Sequence, residues 1–105
     1  MADVNEFFTS TLPAKLAESN ELAEEINAIY QFDIGGAGSW TVDLTGGKGE
    51  VREGPCEEPG CVVTAEQEDF ETLLTNPESG MMLFTMGKLM VTDVALALQI
   101  QRLLE

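Results

Sequence analysis

Apolar residues recur at helical spacing over the first part of the chain. Val4, Phe7, Phe8 and Leu12 share one side of a predicted helix, which Pro13 should end or kink. The helical pattern resumes after the proline and predicts a second short helix before the spacing changes. The predicted caps are Asp3 for the first helix and Ser19 or Asn20 for the second.

The spacing switches to alternation in the middle of the chain, as in strands with one buried face. Apolar residues alternate with polar ones over 30–34 and again over 40–44. Glycine-rich turns at 35–38 and 46–47 follow these runs, and a third strand around Glu50–Arg52 has the character of a sheet edge. This order predicts an antiparallel meander of three strands.

The second half of the chain returns to helices separated by short strands. Cys61–Val63 begins a fourth strand, and Thr64 with Gln67 forms a capping-box pattern for the helix that follows. The remaining predicted elements are a helix that restarts at Asn76-Pro77 and is capped by Gly87, a fifth strand over Lys88–Thr92, and a last helix capped by Asp93. These elements predict one α+β domain over residues 1–105.

The charge of the chain is unusual for its length. Its 105 residues include 19 acidic and 5 basic residues, which gives a net charge of −14. Binding to nucleic acid or to anionic membranes depends on clustered Lys and Arg, and the basic residues here are scattered. We therefore expect no nucleic-acid binding and weak or no binding to anionic membranes. The simplest interpretation of the acidity is a solvated surface kept soluble by self-repulsion.

Targeting and membrane-spanning segments are not evident in the sequence. The first residues lack a basic stretch followed by an apolar run. No apolar run approaches the roughly 18 residues that span a bilayer. The expectation that follows is a cytoplasmic location.

Residues that could carry out catalysis are sparse. The sequence contains no histidine, which removes the usual general base and the commonest metal ligand. Most carboxylates lie where helix starts or loops are predicted, so capping and solvation explain them. We therefore expect no enzyme activity, no cofactor and no metal site.

Cys56 and Cys61 leave three interpretations open. They are separated by four residues of turn-forming composition, so they could remain free thiols, form a facultative disulfide or contribute to a metal or redox site. The neighbouring Glu57 and Glu58 disfavour thiolates, which counts against a reactive cysteine.

Methionines are concentrated in one segment, with four of the five at positions 81, 82, 86 and 90. Methionine is flexible and polarisable and adapts to varied apolar shapes. The cluster therefore fits either a loosely packed core or the wall of a cavity for an apolar ligand. The last helix is apolar around most of its circumference, so it must cover more than one surface.

A family resemblance is carried by the segment Met82–Leu89 (MLFTMGKL), which leads into GKLMVTDVALALQIQRLL at 87–104. This stretch resembles the carboxy-terminal signature of the sterol carrier protein-2 domain family. Phe7-Phe8 with the Leu12-Pro13 break is similar to the family's opening helices. The strands at 29–34 and 38–45 are similar to its hairpin, and 61–75 to its strand followed by a helix.

The resemblance implies a curved sheet of five mostly antiparallel strands, covered on one face by helices, with an apolar tunnel between sheet and helices. Members of the family bind fatty acids, fatty acyl-CoA, sterols and other lipids without a cofactor. The resemblance makes the following residues candidates for ligand binding: Phe84, Met82, Met86, Leu96 and Ile100 near the carboxy terminus, and Phe32, Ile34 and Trp40 on the sheet.

Two features depart from the family's pattern. The family usually has a glycine between the fifth strand and the last helix, where this chain runs directly from Thr92 to Asp93, and the missing residue tightens that junction. The strong acidity also differs from basic members that engage anionic membranes.

The leading hypothesis is a small cytoplasmic lipid-binding or carrier protein that holds a fatty acid, fatty acyl-CoA or sterol-like ligand in a hydrophobic tunnel. The alternative is a non-enzymatic protein-interaction or accessory module whose tunnel is filled in. The expected partners are an apolar small molecule and, under either hypothesis, a possible partner protein. A monomer or weak dimer is expected.

Overall fold

The fold is described from a computed structural model, which covers residues 4–18, 20–45 and 49–104. The helices are α1 (Val4–Glu6), α2 (Leu12–Glu18), α3 (Asn20–Ile26), α4 (Gln67–Thr75), α5 (Gly80–Thr85) and α6 (Val94–Leu104). The strands are β1 (Ile29–Gly35), β2 (Gly38–Asp43), β3 (Glu50–Glu53), β4 (Cys61–Glu66) and β5 (Leu89–Val91). A π-helical turn at Phe7–Thr11 joins α1 to α2, and a 3-10 turn at Pro77–Ser79 precedes α5.

The five strands form one sheet in the order β3-β2-β1-β4-β5. The meander β1-β2-β3 pairs antiparallel, as the alternation predicts, and β3 lies at an edge. The chain then crosses over, because β4 pairs parallel with β1, while β5 returns antiparallel to β4. The expectation of a mostly antiparallel five-stranded sheet is confirmed.

One face of the sheet is apolar and covered by helices. In β1, Tyr30, Phe32 and Ile34 are buried while the residues between them are only partly so. Phe32 lies opposite Trp40 on one neighbouring strand and Val63 on the other, which makes a buried row across the sheet. Because side chains alternate between faces, the polar residues of these strands point to the other, open face.

Aromatic rings fill the space between the amino-terminal helical segment and the sheet. Phe8 stacks on Trp40 with ring centroids 5.0 Å apart and on Phe70 with centroids 5.7 Å apart. Phe32 contacts both Phe8 and Phe70 from the sheet, and Phe7 packs edge-on against the cluster. Parallel and edge-on ring contacts of this kind add stability beyond the area they bury.

The amino-terminal helical segment changes geometry before Pro13. The N–H of Leu12 bonds to the carbonyl of Phe7, which closes a π-helical turn directly before α2. The helical segment does not end at Pro13, which lies in α2 directly after this turn, and Leu12 before it keeps helical backbone angles. Several predicted features lie outside the described residues or side chains, namely the caps Asp3, Ser19 and Asn20 and the Gly46-Gly47 turn.

Helix ends near the carboxy terminus match two predicted caps. Gly87 has a φ of 77°, and its N–H and that of Lys88 bond to carbonyls of the last turn of α5, as at a glycine C-cap. The carboxylate of Asp93 accepts a 3.1 Å bond from the N–H of Leu96 at the start of α6. Both caps are confirmed.

The predicted capping box of Thr64 and Gln67 is wrong. Strand β4 continues to Glu66, which pairs with Gly35 of β1, and α4 begins only at Gln67. Glu66 occupies the N-cap position and makes no side-chain capping bond. The strand ladder therefore extends over residues whose local pattern suggested a helix start, because pairing with β1 satisfies their backbone groups.

Candidate functional site

An apolar groove, here called the α5–α6 groove, opens between α5, β5 and α6 at the β5 end of the sheet. Its volume is about 110 Å³. The groove is lined by Val63, Leu73, Glu78, Gly80, Met81, Phe84, Leu89, Val91, Val94, Ala97, Leu98, Ile100 and Gln101.

The lining divides into a buried floor and an exposed rim. Val63, Leu73, Leu89 and Ile100 form the floor, and each is at most 9% exposed. The rim is made of exposed residues: Glu78, Met81, Phe84, Val94, Leu98 and Gln101. An apolar molecule entering the groove would therefore replace solvent over the floor and contact the rim, which is favourable by the hydrophobic effect.

Only two of the lining side chains are polar, the carboxylate of Glu78 and the amide of Gln101. Among the described residues, the basic side chains do not line the groove. Arg52 pairs with Asp43 and Glu50, and Arg102 with Glu25. The charge at the rim is therefore negative.

Two of the ligand-binding residues predicted near the carboxy terminus lie in the groove. Phe84 is on the rim, 40% exposed, and Ile100 is on the floor, 5% exposed. Met82 and Met86 are largely exposed and are not among the lining residues. Leu96 is half-buried against the core and is not among the lining residues.

The three residues predicted on the sheet are buried away from the groove. Phe32 and Trp40 belong to the aromatic cluster with Phe8. Ile34 lines a separate, more polar cavity near the β1–β2 turn, which also includes Asp33, Glu66, Asp69 and Lys88. The structure thus brings Phe84 and Ile100 together and separates them from the sheet residues.

Several groove residues were missed in the sequence, although a helical-spacing signal could have found them. On α6, Ala97 and Leu98 lie three and four residues after Val94, and Gln101 lies four and three residues after them, so the four share a face. Met81 precedes Phe84 by three residues on α5. The floor residues from α4, β4 and β5 carry no such signal, because they come from elements distant in sequence.

Exposed large apolar side chains are concentrated in one segment of the chain. The described ones are Met81, Met82, Phe84, Met86, Met90, Val94 and Leu98, all within one stretch of 81–98. Four of them line the groove itself. Met90 lines the separate cavity that also contains Ile34. The four at the groove form the kind of exposed apolar surface that marks a site for a ligand or a partner.

A buried polar pair lies under α6. The Tyr30 hydroxyl donates a 2.7 Å bond to the carbonyl of Leu96, and the thiol of Cys61 lies 3.5 Å from the carbonyl of Asp93. Tyr30 and Cys61 are partners in the β1–β4 register. Burial raises the pKa of both groups, so both stay protonated near neutral pH.

Both cysteines are free thiols, and they lie in different environments. Cys61 is fully buried on the covered face of the sheet. The N–H of Cys56 bonds to the side chain of Gln31 on the open face, where Cys56 lines a third cavity with Thr41 and Arg52. Within residues 4–18, 20–45 and 49–104, no cluster of three or more candidate metal ligands occurs. In the same ranges, no helix has the length and apolar character to cross a bilayer.

The sequence of residues 8–105 matches the SCP-2 sterol transfer family. Human sterol carrier protein 2 is 32% identical over 95 residues, which cover 82% of this chain and 17% of the human protein. The chain therefore spans about a sixth of the length of the curated relatives it matches.

Solved structures have the same fold. The sterol carrier protein domain 2 of Helicoverpa armigera matches with a TM-score of 0.79 and 23% identity, over 96% of this chain and 84% of that one. Palmitated SCP2L2 from Aedes aegypti matches with a TM-score of 0.71 and 21% identity, over 95% and 93% of the two chains. At these identities the likeness establishes the fold.

Proposed function

Because the chain belongs to the SCP-2 sterol transfer family, we propose that it is a small non-enzymatic lipid carrier that binds its ligand in the α5–α6 groove. Membership of the family confirms the resemblance carried by residues 82–104. The proposed ligands are those expected from the sequence, namely fatty acids, fatty acyl-CoA or sterol-like lipids. The palmitated mosquito protein supports an acyl chain as one of them.

The observation that carries the proposal is the groove, with its buried apolar floor and exposed apolar rim. Each methylene group moved from water into such a site is favourable by about 0.8 kcal/mol. Several kcal/mol of lost ligand freedom oppose this gain, which leaves micromolar binding for a long acyl chain. Broad specificity follows, because apolar contacts discriminate weakly between chains that differ by one methylene.

The size of the groove sets a condition on binding. Its volume of about 110 Å³ is below the range of about 300–1,000 Å³ that is usual for small-molecule sites. A long ligand would enter only if rim side chains moved outward. Met81 and Leu98 are 60% and 55% exposed, so solvent rather than packed protein surrounds much of each side chain.

The proposal is tested by native mass spectrometry of the purified protein with solvent extraction, together with displacement of an uncharged fluorescent dye by added lipid. Ala97 lines the groove, whereas Ala95 is an exposed residue of the same helix outside it. Ala97→Phe should therefore weaken dye binding by about tenfold or more, and Ala95→Phe should leave it within about twofold. No co-purifying lipid and no dye displacement at tens of micromolar would contradict the proposal.

A second candidate is an interaction or accessory module that binds a partner protein. Two observations favour it: aromatic rings fill the space under β1 and β2, and seven exposed large apolar side chains lie within 81–98. Under this alternative the purified protein would contain no lipid and would form a stable dimer. Analytical ultracentrifugation of lipid-free protein distinguishes the two, since a carrier is expected to remain a monomer or weak dimer.

A further inference from the structure

The rim of the α5–α6 groove holds the polar side chains that a bound lipid would meet. Of these, Glu78 carries a negative charge and Gln101 a neutral amide, and both are exposed. The floor is apolar throughout, so a polar headgroup placed there would lose its hydration without gaining hydrogen bonds. The polar end of a bound lipid therefore belongs at the rim, where Glu78 carries the charge.

A negatively charged headgroup would find no described cation at this rim. Lys88 lines the separate cavity near the β1–β2 turn, and Arg102 is paired with Glu25. Arg52 is at the β3 edge of the sheet, the opposite edge from the groove, and Lys15 lies on α2. Lys48 is outside the described residues. A fatty-acid carboxylate at the rim would thus be repelled by Glu78 without compensation.

An uncharged hydroxyl suits the same rim. A carboxylate such as that of Glu78 accepts hydrogen bonds, and a glutamine amide such as that of Gln101 can both donate and accept them. A hydroxyl can donate a hydrogen bond to the carboxylate of Glu78, with no charge repulsion. The net charge of −14 adds a further, salt-screened repulsion for ligands with phosphate groups.

We propose that the α5–α6 groove selects lipids whose polar end is an uncharged hydroxyl over lipids whose polar end is an anion, such as free fatty acids and CoA thioesters. This selectivity rests on the proposed function and narrows its ligand class. Glu78 is the specificity-determining residue, because it supplies the charge at the rim.

The test compares a saturated long-chain alcohol with the carboxylate of equal chain length. Both displace an uncharged dye from the wild-type protein at neutral pH and low ionic strength. The alcohol should displace the dye at about tenfold lower concentration, as expected for a like-charge contact close to the surface. Added salt should reduce the difference between the concentrations at which the alcohol and the carboxylate displace the dye, because salt screens exposed charges, with a screening length of about 10 Å at 0.1 M.

Variants at Glu78 isolate its contribution. Glu78→Gln should raise the affinity for the carboxylate by about three- to tenfold and leave the alcohol within about twofold, and Glu78→Lys should favour the carboxylate further. Glu57→Gln is the matched control, because Glu57 is an exposed residue that lines the cavity containing Thr41 and Arg52 rather than the groove. It removes the same charge and should leave both ligands unchanged.

The outcomes separate this inference from the proposed function. If the carboxylate binds as well as the alcohol, or if Glu57→Gln acts as strongly as Glu78→Gln, the selectivity is overturned while lipid binding stands. If neither ligand displaces the dye, the proposed function is overturned, together with the selectivity that rests on it.

Discussion

The hydroxyl of Tyr30 donates a 2.7 Å hydrogen bond to the backbone carbonyl of Leu96, and this bond links the central strand β1 to α6. The ring of Tyr30 is fully buried, and α6 forms one wall of the α5–α6 groove. The bond therefore helps to fix the position of that wall over the sheet.

Removal of this hydroxyl is expected to destabilise the protein. Tyr30→Phe should lower the free energy of unfolding by about 1 kcal/mol, because a buried hydrogen bond is lost while the ring is kept. Urea unfolding followed by the fluorescence of Trp40, the single tryptophan, measures the change. Thr85→Val is the control, since it removes an exposed hydroxyl bonded within α5 and should have a smaller effect. Equal effects of the two changes would contradict a special role for Tyr30.

Stability should fall at alkaline pH. Desolvation by burial raises the pKa of Cys61 and of Tyr30, so in the unfolded chain these groups lose their protons at a lower pH than in the folded protein. Their contribution is fully present below the unfolded pKa values of about 8.5 and 10, and it is lost as pH rises above them. Urea unfolding at a series of pH values should show a decline from about pH 8.5. In Cys61→Ala the decline should begin nearer pH 10, and a flat profile in the wild type would refute this account.

Loss of the α6 cap should also be measurable. The carboxylate of Asp93 accepts a hydrogen bond from the N–H of Leu96, so Asp93→Ala should cost about 1 kcal/mol of unfolding free energy. Asp93→Asn keeps an acceptor oxygen and should cost less. Thermal unfolding of the two variants beside the wild type makes the comparison, and equal stability of Asp93→Ala and the wild type would show that the cap is dispensable.

The two thiols should differ in reactivity. Cys61 is fully buried and its pKa is raised, whereas Cys56 is partly exposed in the loop before β4. A thiol-specific chromogenic reagent should therefore modify one thiol rapidly and the second only on unfolding. Mass spectrometry of digested protein identifies which cysteine is modified first. Early modification of Cys61 in folded protein would contradict the burial of this residue.

Retention on anionic vesicles is expected to be weak. The net charge of −14 opposes approach to an anionic surface, and the few basic residues are not clustered in the sequence. Sedimentation with vesicles rich in anionic lipid at low salt should leave the protein in the supernatant. Zwitterionic vesicles serve as the control for uptake through the exposed methionines. Clear retention by the anionic vesicles alone would overturn the prediction.

Most elements of the fold could be predicted because their signals are local. Alternation over 30–34 and 40–44 predicts β1 and β2, and Gly87 and Asp93 occupy the cap positions that their residue types favour. The start of α4 could not be predicted, because the ladder to β1 extends β4 through Glu66.

The candidate site could be predicted only in part. The family signature pointed to Phe84 and Ile100, which line the groove, and equally to Met82 and Met86, which do not. These four residues have similar apolar character, so composition does not separate them. Their position relative to β5 and α6 separates the two residues that line the groove from the two that do not.

The sequence by itself determined the strand meander, the caps Gly87 and Asp93, the acidic character and the family of this chain, because each depends on residues close together or on composition. Only the tertiary structure decided that β4 pairs parallel with β1 and that Phe32 and Trp40 pack in an aromatic cluster rather than in the groove. It also placed Glu78 at the groove rim. These outcomes depend on contacts between elements distant in sequence, and a local pattern shows that a face is apolar without showing what covers it.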